Sequence, residues 1–287
     1  MSRYLSPRTM EEAVSLLLEH KGAARVMAGG TDLLVQLKRG VSPPGYIIDM
    51  KGIPEQDTIT LDERHGLVIG GLTTIRSIEL SPVIKSRFSC LAQSASQLGT
   101  LQVRNRATIG GNICNAAPSA ETASSLLVLE AKLKLISADG ERVVPIESFF
   151  LNPGETVLRP HEILTEIRIP NLPPRSGSAY IAGTIRKALD LAIVGVAVAT
   201  TIDKGVLTEV RIALGSVAPT PIRARKAEAL IQGHQLDDER LHEVGLSAAQ
   251  EASPIDDIRG SAEYRRKMIA VLVEKALRQS VLQTQAG

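Results

Sequence analysis

Three Gly-Gly pairs interrupt the first half of the chain: Gly29-Gly30, Gly70-Gly71 and Gly110-Gly111. The first sits where a short apolar run, Arg25-Val26-Met27-Ala28, gives way to a helical pattern from Thr31 to Lys38, which Gly40 and Pro43-Pro44 end. Glycine at such a junction lets the backbone take positive φ and lets another group come close to the main chain. The N–H groups that open the helix have no intrahelical acceptor, point into the turn and favour an anion there. Thr31 offers a hydroxyl at that place, and Asp32 is positioned to cap the helix. The third pair, in Ala107-Thr108-Ile109-Gly110-Gly111-Asn112, again has a hydroxyl before it and an amide after it. Two such loops could hold the two phosphates of a dinucleotide, although each alone is also an ordinary tight turn. Neither Gly-x-Gly-x-x-Gly nor the P-loop pattern occurs, which disfavours a Rossmann or P-loop site.

Around these loops the pattern is mixed. Helical spacing marks Thr9–His20, Ser81–Leu98 and Glu121–Ala131; short strands are predicted at Tyr46–Asp49, Thr58–Leu61, Leu67–Ile69, Lys132–Ser137 and Glu141–Pro145. Prolines, glycine and serines cluster in Pro170–Ser178 and read as a linker. Beyond it come β-branched runs at Asp190–Ile202 and Val206–Ala213, then helices at Arg223–Ile231, Asp237–Ala252 and Ala262–Leu282. The expectation is an α+β chain in two parts, 1–174 and 175–287, the second being smaller. At 287 residues each part can bury its own core.

Composition narrows the function. Thirty-three Lys and Arg against 31 Asp and Glu leave a net charge of +2, without the basic excess of a nucleic-acid surface. With no Trp, four Tyr and three Phe, the cores are aliphatic and stacking platforms for single-stranded nucleic acid are lacking. Cys90 and Cys114 are too few for a disulfide framework, a four-thiolate zinc site or an iron–sulfur cluster. The histidines His20, His65, His161, His234 and His242 show no metal-ligand spacing. No transmembrane run and no signal-peptide core is present, so a reduced, cytoplasmic setting is expected. Cys114 reads as a small core residue. Gln102–Arg106 is a basic spot for a phosphate or a partner, or a solvated turn. Asp256-Asp257 with Arg265-Arg266 reads as a charged surface or as inter-domain ion pairs.

Met27-Ala28-Gly29-Gly30-Thr31-Asp32-Leu33-Leu34, taken with Thr108-Ile109-Gly110-Gly111-Asn112-Ile113, resembles the FAD-binding medium subunits of molybdenum hydroxylases. That group includes the carbon monoxide dehydrogenase medium subunit, the β-subunit of 4-hydroxybenzoyl-CoA reductase and the flavin domain of xanthine dehydrogenase. Arg186–Ala192 and Asp257–Arg266 are similar to the same family, so the resemblance covers nearly the whole chain. It implies a two-part FAD-binding domain of the vanillyl-alcohol-oxidase or p-cresol-methylhydroxylase type, followed by the smaller α+β C-terminal domain that medium subunits carry. By position, Val26, Met27, Ala28, Gly29, Gly30, Thr31, Asp32 and Leu33, with Thr108, Ile109, Gly110, Gly111 and Asn112, should line the diphosphate and flavin. Leu98 and Leu164 should pack on the cofactor. Glu121 stands where the family often has an Asp contacting FAD, keeping the acceptor and adding a methylene. Where xanthine dehydrogenase presents a Lys near the flavin, this chain has Tyr180-Ile181-Ala182, which implies a reduced flavin without that cation.

The resemblance also implies partners. A molybdopterin-bearing large subunit and a [2Fe–2S] small subunit would pass electrons to FAD here and on to an external acceptor, in a dimer of heterotrimers. Any cluster must sit on another chain, given the cysteine count. No catalytic side chain is expected, since the flavin carries the electrons. Two alternatives remain: a free-standing flavin oxidase or reductase, for which no His or Tyr is an obvious substrate base, and a nucleotide-binding regulatory module.

Overall fold

The structure, a computed structural model, describes residues 2–41, 43–62, 64, 66–184 and 191–284. Arg186–Asp190 of the family-like run, and His65, lie outside the described residues. The chain opens with β1 (Arg3–Leu5), α1 (Met10–His20), β2 (Ala24–Met27), α2 (Leu33–Lys38) and β3 (Tyr46–Asp49). β3 pairs in parallel with β1 on one side and β2 on the other. α1 starts where the Thr9 side chain accepts from the Glu12 N–H, and its apolar stripe, Ala13, Val14 and Leu17, packs on Ile48 and Met50.

A five-stranded antiparallel sheet follows, ordered β4 (Ile59–Asp62), β5 (Gly66–Gly70), β10 (Ile163–Ile169), β6 (Lys132–Ser137) and β7 (Gly140–Pro145). A small hairpin, β8 (Phe150–Asn152) and β9 (Glu155–Thr156), lies before β10. Between β5 and β6 run the helices α3 (Ile75–Leu80), α4 (Pro82–Arg87), α5 (Ser89–Gln97), α6 (Leu101–Arg104), α7 (Ile109–Cys114) and α8 (Glu121–Val128). The single helix expected over Ser81–Leu98 is two. Phe88, fully buried, adopts φ −133°, ψ 48° and turns the chain between α4 and α5. Burial of that ring overrides a helical pattern that runs through it. The short helices α3, α6 and α7 escape a sequence reading because four to six residues do not complete an amphipathic period.

The C-terminal part is a four-stranded antiparallel sheet, β11 (Ser176–Gly183), β12 (Val194–Asp203), β13 (Val206–Gly215) and β14 (Ile222–Arg223). It is backed by α9 (Arg225–Ile231), α10 (Asp238–Glu251) and α11 (Ala262–Thr284). β12 is buried on both faces, which is why its sequence is a continuous apolar run instead of an alternation. Its two faces carry different residues. Val194, Val196 and Val198 enter the helix-backed core with Ile269, Val273 and Leu277, whereas Ala197 and Ala199 join Leu91, Ala95 and Leu127 of the N-terminal part. Small side chains on this face let α5 and α8 lie close to the sheet.

β11 is an edge strand, and α5 satisfies its free edge. The Gln93 side chain accepts the Tyr180 N–H at 2.7 Å, Ser178 Oγ accepts from the Cys90 N–H at 3.2 Å, and Ser89 Oγ donates to the Ser178 carbonyl. On the other side, Arg223 donates to Glu228 at 2.6 and 2.9 Å, and Glu228 also accepts the Ile212 N–H at 2.8 Å, all largely buried. Glu228→Ala leaves a buried guanidinium and a strand N–H unpaired. It should lower stability by about 3–5 kcal/mol, read as a shifted midpoint in urea unfolding.

Candidate functional site

The three glycine pairs stack into one wall. A Cβ on Gly29 would lie 2.0 Å from the Arg106 carbonyl oxygen, so the first loop is pressed against the segment that leads into the third pair. A Cβ on Gly110 would lie 2.5 Å from the Gly71 carbonyl oxygen, and one on Gly71 would lie 2.6 Å from that of Leu164. Backbone therefore packs on backbone from Gly29 through Gly110 to β10. Any side chain at these positions would force the layers apart. Gly30 takes φ +77°, the left-handed turn that aims the chain from β2 into α2.

The two outer loops differ in what they can bind. Among the described residues, the N–H groups of Gly29, Gly30, Thr31, Asp32 and Leu33 have no protein acceptor. Those of the third pair are taken. Ile109 donates to the Thr73 carbonyl and Gly110 to that of Gly71, each at 3.0 Å; Gly111 donates to Thr108 Oγ1 at 3.1 Å, and Asn112 to the Thr108 carbonyl. The third pair is the first turn of α7 and not an open bend, so the expectation of two equivalent amide cradles is corrected: one loop offers the donors and the other supports it. Asp32 is also corrected, since it begins α2 without a side-chain capping bond. Asp32 has helical backbone angles, φ −95° and ψ −50°, in place of the extended conformation from which a capping side chain reaches back to the N–H groups that follow.

Two buried polar groups, one from each part of the chain, lie close enough to the first loop and to each other to interact electrostatically. Glu121 opens α8 and is 6% exposed; Tyr180, on β11, is 4% exposed. Neither Glu121 Oε1 nor the Tyr180 hydroxyl has a hydrogen-bond partner. Burial pushes the Glu121 carboxyl up to about 7, and the negative charge of Asp32 adds to this. Burial, with Glu121 second, also drives the Tyr180 hydroxyl well above its ordinary range. Gly195 on the neighbouring strand makes room for the tyrosine: a Cβ there would meet its hydroxyl at 2.9 Å. Asn112 Oδ1 accepts from Thr122 at 2.6 Å, tying α7 to α8. Leu98 and Leu164 are buried in the core beneath, as are Thr108 and Ile109. Val26, Met27 and Ala28 form the end of β2 and the start of the loop.

Two groups in this region carry no sequence signal of their own. Tyr180 stands out in the sequence only beside the position of a missing lysine. Lys51 belongs to no motif, yet its ammonium lies 2.6 Å from Asp49 Oδ1 and 3.4 Å from the Ala28 carbonyl, directly under the glycine loop. Burial pushes Asp49 up, but hydrogen bonds from Lys51 and from the Tyr4 hydroxyl outweigh it and hold the carboxyl below its usual range. Such a pairing spans β1, β3 and the first loop, which no local motif reports. The basic spot at Gln102–Arg106 is partly structural. Arg104 bonds Glu79 at 2.8 Å and the Leu98 and Gly99 carbonyls. Asp257 pairs with the buried Arg265 at 2.7 Å within the C-terminal part. Burial pushes Cys90 up to about 11 and Cys114 up to about 12, so both remain inert thiols. Among the described residues no group of His, Cys, Asp or Glu could hold a metal, and no helix is long and apolar enough to cross a membrane.

Residues 1–172 match the model of the FAD binding domain in molybdopterin dehydrogenase, and residues 179–280 match the CO dehydrogenase flavoprotein C-terminal domain. The chain belongs to the FAD-binding medium subunits of the molybdenum hydroxylases. It is 35% identical over 279 residues to the xanthine dehydrogenase FAD-binding subunit of Escherichia coli O157:H7, covering 97% of this chain and 95% of that one. It is 34% identical over 274 residues to the carbon monoxide dehydrogenase medium chain of Hydrogenophaga pseudoflava, covering 96% and 95%. A structure of carbon monoxide dehydrogenase from that organism, lacking the Mo-pyranopterin moiety, superimposes with a TM-score of 0.94 over 98% of both chains. The medium-subunit fold and an oxidoreductase role follow, with FAD as this subunit's cofactor. The residues present fit such a group: a row of unpaired N–H donors suits a diphosphate, and two buried polar atoms near one another, Glu121 Oε1 and the Tyr180 hydroxyl, lack partners.

Two outcomes are expected. Gly29→Ala, which drives a methyl into the Arg106 carbonyl, should weaken FAD binding by about tenfold or more in a flavin-fluorescence titration, while circular dichroism checks the fold. Because the Glu121 carboxyl is raised from 4.5 to about 7 on folding, its neutral form stabilises the fold below about pH 4.5, and that contribution is lost as pH rises through about 7. The wild type minus Glu121→Gln difference in unfolding free energy should therefore fall by roughly 3 kcal/mol across that window.

Proposed function

We propose that this chain is the flavin relay of a molybdenum hydroxylase complex, taking electrons from a [2Fe–2S] partner subunit and passing them to an external acceptor. Residues 1–174 would bind FAD, and 175–287 would close over it. The reading rests above all on the run of unpaired N–H groups from Gly29 to Leu33, braced from behind by the Thr108–Asn112 turn. These donors would hold the diphosphate, with Thr31 adding a hydroxyl and Lys51 a cation at the base of the loop. Leu98 and Leu164 would form the apolar floor, while Glu121 and Tyr180 would meet the cofactor's polar groups. When bound, FAD supplies one- and two-electron transfer; the protein orients it, keeps water out and sets the charge around it.

Two thiols held protonated by burial support placing the cluster on another polypeptide. A large molybdopterin subunit, a dimer of heterotrimers and a cytoplasmic location belong to the same proposal, supported by relatives named as subunits or medium chains. A free-standing oxidase would need a substrate base, and Tyr180, whose proton is held so tightly, is a poor one.

The experiment is to load the purified chain with FAD and reduce it with dithionite. Reversible bleaching of the flavin absorbance, no turnover of aldehydes or N-heterocycles by the chain alone, and co-purification with an iron–sulfur protein are expected. Steady-state substrate oxidation by the lone chain would replace this reading with the oxidase.

A further inference from the structure

Among the described residues Glu121 is the one acidic group with a buried carboxylate oxygen that has no hydrogen-bond partner, and nothing around it supplies a counter-charge. Asp32, at the start of α2, has the same sign, and Tyr180, on β11, is neutral. The other elements packed on α8 carry charges that are already paired. Arg211 on β13 meets Glu130 and Glu209, Arg223 on β14 meets Glu228, and Glu147, after β7, meets Arg225. β12 offers only apolar and hydroxyl side chains before Asp203, which pairs with Arg175. Cys90 on α5 and Cys114 on α7 keep their protons. A carboxyl so placed can answer a change of charge beside it by gaining or losing a proton.

We propose that Glu121 binds a proton when the flavin is reduced, so that negative charge arriving on the cofactor is balanced at this carboxyl. This rests on the FAD reading above. Two electrons from an external reductant and one proton at the ring give the anionic reduced flavin. A second proton, from water, joins the Glu121 carboxylate; no bond between protein and cofactor forms or breaks. Burial already brings the carboxyl to about 7, so the exchange falls in the neutral range. Tyr180, the group nearest in electrostatic effect, stays neutral and so supplies no charge of its own.

The test is a potentiometric titration of the FAD-loaded full chain from about pH 6 to about pH 9. The wild type should show a window in which the midpoint falls by about 59 mV per pH unit, two protons with two electrons, flanked by slopes of about 30 mV. Glu121→Gln should show about 30 mV throughout, and Glu121→Asp should restore the steep window. In infrared difference spectra a protonated-carboxyl band should grow on reduction in the wild type and be missing from Glu121→Gln. This second measurement decides the matter in the wild type if the glutamine variant fails to hold flavin. A steep window that survives in Glu121→Gln, or no carboxyl band in the wild type, overturns the assignment. A chain that takes up no FAD overturns the flavin reading itself.

Discussion

Backbone-to-backbone contact at the glycine pairs is the constraint on which the rest of the site depends. Gly29 lies against the Arg106 carbonyl, Gly110 against Gly71, and Gly71 against Leu164. These contacts bring together a parallel three-stranded sheet, a run of short helices and the central strand of the antiparallel sheet. The first loop, packed in this way against the Arg106 carbonyl, keeps amides that have no acceptor within the protein among the described residues. A ligand that needs close approach to main-chain donors then finds them already oriented, without side-chain ordering at the moment of binding.

The same economy of side-chain volume governs how the two parts meet. Alanines on one face of β12 and valines on the other give a sheet that a pair of helices can approach closely on one side and a conventional helical layer can fill on the other. Tyr180 and Glu121 are brought near each other by that contact: neither part of the chain creates the pair alone. The pair is therefore assembled from elements about sixty residues apart, and the state of Glu121 is set by burial more than by any ion pair.

Much of the architecture was legible. The long helices of the C-terminal part lie within two residues of where periodicity put them, because each buries a full apolar stripe: Arg225–Ile231, Asp238–Glu251 and Ala262–Thr284. The linker region is shorter than its composition suggests, since Ser176 already pairs with Thr201 in the sheet. The break at Phe88 and the helical state of Gly110-Gly111 were not legible. Both are imposed by distant partners, a buried ring and a carbonyl of another loop, which outweigh local preference.

The amino-acid order by itself determined the α+β pattern, the family signature in the glycine runs and the lack of cluster-forming thiols, because these depend on residue type and near-neighbour spacing. Tertiary structure alone decided which glycine loop keeps its donors free, that Lys51 stands beside it, and that Glu121 and Tyr180 are buried near each other. Hydrogen-bond occupancy and desolvation are properties of the space around a residue, and that space is built by chain segments far away along the sequence.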